Sequence, residues 1–146
     1  DGNAGAAYGN PSDPLTPGSG GPADRGNNGG AGGGYVKIVS AGTVTLNGNG
    51  ISANGASAAS FGGGSGGGVY LRCKTLSGSG PIRANGGNSG GSGGGGGGGR
   101  IAVYYRSQQY TGACSVTGGV GAAGARPGTN GTVYFSRLPG AIISVR

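Results

Sequence analysis

In a chain of 146 residues, 43 glycines sit among a one-third share of apolar residues, and ten lysines and arginines against three aspartates give a net charge of +7. Glycine does not recur at every third position, which excludes collagen. Histidine and glutamate are absent, which removes the usual acid–base pairs and most metal ligands.

The first segment, residues 1–30, is an acidic, proline- and glycine-rich head containing NPSDPLTPGSGGPADR at 10–25. All three acids, Asp1, Asp13 and Asp24, lie in it, while every basic residue lies from Arg25 onward, so the head carries −3 and the body +10. Such asymmetry speaks about partners more than about fold. One reading docks the head on the basic body, its own or that of the next subunit. The other leaves the cations as a solvated face that keeps a glycine-rich surface soluble.

The body, residues 31–146, is an array. Units begin at Val36, Val69, Ile101 and Val133, at steps of 33, 32 and 32 residues, a spacing that marks stacked repeats. VYLRCKTLSGSGPIRANGG at 69–87 aligns with IAVYYRSQQYTGACSVTGG at 101–119 without a gap. The first unit fits with a short insertion before ISANG, and the fourth, VYFSRLPGAIISVR, is cut short.

Each unit opens with period-two alternation, the pattern of a strand with one buried face. The predicted core ladder is Val36 and Ile38, Val69 and Leu71, Ile101 and Val103, then Val133 and Phe135, with Cys73 and Tyr105 extending the inner units. A second strand per unit is predicted at Ile51 and Ala53, Ile82 and Ala84, Cys114 and Val116, and Ile143 and Val145. Glycine clusters at 62–68, 86–99 and 118–131 supply turns or extended threads. The expected fold is therefore all-β, a glycine-rich β-solenoid-like stack of about four rungs without helix.

Cys73 and Cys114 both fall at inward positions of neighbouring units, which makes them a disulfide candidate, with two buried free thiols as the alternative. The final AIISVR is strand-like to its end, and an open solenoid end needs a cap. Either the head folds over as that cap, or the last rung stacks on the next copy in a non-closing, heterologous contact that builds a filament.

Alternation turns Lys37, Tyr70, Arg72, Lys74, Tyr104, Arg106 and Tyr134 outward. Arg72 aligns with Tyr104, which permits a cation–π contact, and Lys74 aligns with Arg106, which calls for an anion. Asp13 or Asp24 of the head would serve, and so would a sulfated or carboxylated polysaccharide. Tyr70, Arg72, Tyr104 and Tyr134 form the candidate ligand face. Nucleic acid is not the expected partner, since no recognised nucleic-acid motif accompanies the basic residues. Asn130-Gly131-Thr132 is the single sequon. Thr43 and Thr45 alternate, but no threonine row recurs along the sequence, so ice binding is not expected.

The unit GGGSGGGVYLRCKTLSGSGPIRANGGNSGGSGGGGGGGRIAVYY resembles the repeats of long glycine-rich extracellular and cell-surface proteins, over roughly residues 30–135. That resemblance implies a secreted structural or adhesive role with no catalytic residues to carry over. The glycine runs also resemble the polyglycine threads of certain phage adhesins and glycine-rich antifreeze proteins. The start at Asp1, the even cysteine count and the low charge content fit an extracellular setting, and no stretch approaches a membrane span. The functional expectation is a secreted structural protein, not an enzyme and without cofactor or metal, assembling end to end with itself into a fibre. The alternative is an adhesive module presenting its basic and aromatic face to acidic polysaccharide.

Overall fold

The computed structural model describes residues 9–23, 26 and 28–139. Those residues form a β-solenoid of about three turns without helix, each complete turn carrying three strands. The long strands β1 (Tyr35–Val39), β4 (Gly68–Arg72), β7 (Arg100–Tyr105) and β10 (Thr132–Arg137) make a four-stranded sheet. A second sheet contains β2 (Thr43–Leu46), β5 (Thr75–Gly78) and β8 (Ser107–Tyr110). The third contains the two-residue strands β3 (Ile51–Ser52), β6 (Ile82–Arg83) and β9 (Cys114–Ser115). All pairings are parallel.

The register follows the repeat. Val36, Val69, Ile101 and Val133 lie in one row, and Ile38, Leu71, Val103 and Phe135 in the next. Val69, Leu71, Ile101 and Val103 are fully buried, while Val133, in the last rung, is 41% exposed. Leu46, Leu76 and Ile82 complete the dry interior from the other two sheets. One expectation requires correction here. Each turn has a middle strand that period-two reading of the aliphatic residues passed over, because β8 reads SQQY and carries only Tyr110 inward. Among the described residues the first sheet holds four strands and the other two hold three each; the proposed strand at Ile143 and Val145 lies outside the described residues.

The rest of each turn is built from glycine. Segments 28–34, 62–68, 93–99 and 126–131 run as extended threads whose hydrogen bonds recur every third residue. Gly30 and Gly33 donate to the carbonyls of Gly62 and Ser65, Gly63 and Gly66 to Gly94 and Gly97, and Gly95 and Gly98 to Arg126 and Thr129. One residue further along, Gly64 and Gly67 donate to Ala56 and Ala53, Gly96 and Gly99 to Gly87 and Ala84, and Gly128 and Gly131 to Gly119 and Val116. A three-residue period with no bonds inside the thread is polyproline-II geometry, whose exposed backbone must find partners elsewhere. The glycine runs are thus lateral threads that close each turn.

No glycine of the inter-thread contacts has a positive φ. Glycine is present there for want of a β-carbon: at Gly64 one would collide with the carbonyl oxygen of Ala31, at Gly96 with that of Gly64, and at Gly128 with that of Gly96. Positive φ is reserved for bends such as Gly48 and Gly50, in the insertion of the first unit.

The head joins this layer. Gly18 and Gly21 donate to the carbonyls of Gly33 and Gly30, Ser65 N–H donates to Ser19 O at 2.9 Å, and Ser19 N–H to Ser65 Oγ at 2.7 Å. Residues 18–21 therefore lie antiparallel to 30–33, in the furrow between the first two threads. The described part of the head docks on its own body, along the side of the stack.

Candidate functional site

Cross-strand register turns the outward residues of the long sheet into a continuous surface. Lys37, Tyr70, Ala102 and Tyr134 form one row, and Val39, Arg72, Tyr104 and Ser136 the adjacent row. The tyrosines meet diagonally between rows: the Tyr70 and Tyr104 ring centroids are 5.5 Å apart, and those of Tyr104 and Tyr134 5.8 Å. Both separations suit tilted aromatic pairs. Ala102 is fully buried without belonging to the core cluster, and its small side chain leaves room for the Tyr104 ring between its neighbours.

The cation that covers a ring is Lys37, whose Nζ lies 5.3 Å from the Tyr70 centroid. Arg72 occupies the expected place beside Tyr104, but Tyr104 is engaged by the other tyrosines and by the head. Its hydroxyl donates to Ser12 O at 2.7 Å. Desolvation raises the Tyr104 pKa, opposed by the Ser12 bond and reinforced by Tyr134, Tyr70 and Asp13. The head therefore meets the ladder at Ser12, and Pro14 two residues on is buried.

Basic residues collect at the corner where the first sheet ends. Lys74 O accepts both Arg106 N–H and Ser107 N–H at 3.0 Å, so Lys74 and Arg106 are consecutive steps of one column. Arg137 Nε donates to Arg106 O at 3.2 Å in the following step. Arg72, Lys74, Arg106 and Arg137 are all exposed. The expected charge contacts do not form from the described carboxylate: among the described residues, no ion pair joins Asp13 to Lys74 or Arg106, because the head is held through its main chain and Tyr104. Asp24 lies outside the described residues.

Cys73 and Cys114 are free thiols, which corrects the disulfide expectation. Cys73 follows β4 in the long sheet, whereas Cys114 begins β9 and faces Ile82 across the third sheet. Both are inward, but on different walls of the solenoid. Burial raises both thiol pKa values, and at Cys114 an interaction with Tyr110 partly offsets the rise. Tyr110 donates its hydroxyl to Gly80 O at 2.9 Å, and desolvation, then Cys114, push its pKa up to about 12.

The last thread departs from the others. Pro127 stands one repeat after Gly63 and Gly95, which each donate to the next thread, and proline has no N–H to give. Asn130 stands one repeat after Gly66 and Gly98, and its Oδ1 accepts Gly118 N–H at 3.0 Å. In earlier turns the matching N–H groups of Gly55 and Gly86 bond to the following turn, at Asn85 and Thr117. Two side chains thus stand in for the missing rung. Sequence reading saw in Asn130 only a sequon, because its capping role depends on a partner 12 residues away.

Hydroxyl rows also escaped it: register places Thr43, Thr75 and Ser107 in line, and Thr45 bonds Ser77 at 2.8 Å. Among the described residues no cluster of histidine, cysteine, aspartate or glutamate could hold a metal, and no helix is long and apolar enough to cross a membrane. No family model, curated protein or solved structure matches this chain.

Proposed function

We propose that this chain is a non-catalytic structural module of the cell exterior that holds an acidic polysaccharide along its basic corner. The observation that carries the reading is the basic corner, in which Lys74, Arg106 and Arg137 follow one another over three successive rungs and Arg72 stands beside Lys74 on the same rung, all exposed and unneutralised by any carboxylate among the described residues. Parallel strands stand about 4.8 Å apart, so such a corner offers regularly repeated cations to a regularly charged polymer. The tyrosine ladder flanks it, and the likeness of the repeats to glycine-rich cell-surface proteins points the same way. Converting Arg72, Lys74 and Arg106 together to alanine is expected to abolish retention on an immobilised sulfated or carboxylated polysaccharide. Wild-type retention is expected to fall steeply between 50 and 500 mM salt as screening shortens the reach of the charges, roughly from 14 to 4 Å. Retention unchanged by either treatment would refute the reading.

End-to-end self-assembly is the second reading. It is favoured by the outer strands β1 and β10, whose outer edges pair with no other strand among the described residues and where Val39 is 62% and Val133 41% exposed. Pro127 and Asn130 weigh against it, because they close the thread layer where a further turn would add. Electron microscopy of the concentrated protein decides: ordered filaments support assembly, and monodisperse particles of one copy discard it.

A further inference from the structure

The furrow that receives the head does not stop where the head stops. Residues 18–21 fill it between the first and second threads, but one repeat further on, between the second, third and fourth threads, no described residue fills it. There it forms a groove of about 410 Å³, lined by Gly66, Gly94–Gly98, Arg126 and Gly128–Thr132, with Pro17 and Ser19–Pro22 of the head as one wall. Burial records the difference. Gly62, Gly63 and Gly66, beneath the head, are buried, whereas their repeat mates Gly94, Gly95 and Gly98 are only half-buried.

Hydrogen bonding records it too. In the second thread the outward N–H, that of Ser65, is taken by Ser19 O. Its repeat mates are the N–H groups of Gly97 and Thr129, and these line the open groove without an acceptor among the described residues. A third observation concerns why Gly97 is glycine. Neighbouring Gly95, Gly96, Gly98 and Gly99 would each drive a β-carbon into a carbonyl, but at Gly97 the nearest atom would be Thr129 O at 3.8 Å, and its φ is not positive. The fold admits a side chain at 97, and glycine there costs backbone entropy. What it preserves is a flat groove floor.

We propose that this groove is a docking site for one further extended, glycine-rich strand of another polypeptide, in polyproline-II conformation, seated as residues 18–21 seat themselves next door. Seated between the second and third threads, the partner offers a carbonyl to Gly97 N–H, as Ser19 does to Ser65, and donates N–H groups three residues apart to the carbonyls of Gly66 and Gly63, the repeat mates of Gly33 and Gly30. Its buried positions are glycine for the reason that holds at Gly18 and Gly21, where a β-carbon would meet the carbonyls of Ser65 and Gly62. A residue with a side chain fits at every third position, as Ser19 does. A second copy of this chain is the poorer donor, because its own 18–21 segment is already committed to its own furrow.

The test is an amide NMR titration of the whole chain with the capped peptide (Gly-Gly-Ser)4. Saturable shifts centred on Gly94, Gly97 and Thr129 are expected. Gly97→Leu is expected to melt at or above the wild-type temperature and to weaken binding at least tenfold, whereas Gly34→Leu, where a β-carbon meets nothing within 4 Å, leaves binding intact. The capped peptide (Ala-Ala-Ser)4 is expected not to bind. Absence of shifts at millimolar peptide, shifts that persist in Gly97→Leu, or shifts confined to Ser19 and Ser65 would each overturn the proposal. So would self-association of the chain, seen by sedimentation, that Gly97→Leu abolishes, since that would make the occupant a second copy.

Discussion

At the scale of single residues, the glycines divide into those the lattice requires and those it tolerates. Gly64→Ala or Gly96→Ala places a methyl group against a carbonyl oxygen of the adjoining thread, and backbone has to move to relieve it. Overpacking of this kind costs about 1–3 kcal/mol and sometimes more. Gly97→Ala is expected to be neutral or to stabilise by about 0.5 kcal/mol, through the reduced freedom of the unfolded chain. Urea midpoints of the three variants check the contrast. No scale of composition separates Gly96 from Gly97, since both read as G in a run of seven; only the place of each in the three-residue period does. Tyr110 supplies the second prediction at this scale. Its folded pKa of about 12 stands above the ordinary value near 10, so the fold favours the neutral phenol. That contribution is complete below pH 10 and is lost as pH rises through 12. Tyr110→Phe is expected to flatten the loss of stability between pH 10 and 12, at the cost of leaving Gly80 O without this donor, and alkaline denaturation followed by circular dichroism measures both effects.

Among elements, the repeat was legible and the division of labour within it was not. Aliphatic alternation located β1, β4, β7 and β10 and their register, because the rows of Val36 and Ile38 are buried on one face and polar on the other. The middle strands escaped because a parallel ladder in a solenoid needs only one inward side chain per turn, and in SQQY that residue is the tyrosine. The cysteines shared inwardness without sharing a wall, a distinction that spacing in sequence does not carry. Strand-like equivalence across rungs also predicts the effect of removing one. Deleting residues 69–100 joins Gly68 to Ile101 and brings Val36 opposite Ile101 in the register that Val69 held. The shortened chain is expected to fold with the same β-rich circular dichroism spectrum and a lower denaturation midpoint, as nearest-neighbour energetics of repeat proteins require. Loss of all ordered structure would contradict the modular reading.

For the molecule as a whole, the two halves of the layer end differently. Among the described residues β1 and β10 are the outer strands of the long sheet, while the last thread is closed by Pro127 and Asn130. Pro127→Gly with Asn130→Gly is expected to restore the lost donor, uncover Gly118 N–H and promote concentration-dependent association in sedimentation velocity. If the double variant stays monomeric at the highest soluble concentration, closure of this layer is not what limits growth. The charge split between head and body was visible in sequence, but its use was not: the head is retained by peptide groups, Pro14 and the Tyr104 hydroxyl, so high salt is expected to leave its docking in place.

The glycine threads bring a consequence for resistance to proteolysis. A protease grips its substrate by the side chains flanking the bond it cuts, and segments 62–68 and 93–99 present almost none. Of the bases that trypsin-like enzymes seek, Lys37, Arg72, Lys74, Arg83, Arg100, Arg106 and Arg137 sit on or beside hydrogen-bonded strands, where cleavage waits on local opening. A chain assembled from so much unadorned backbone is thereby hard to digest.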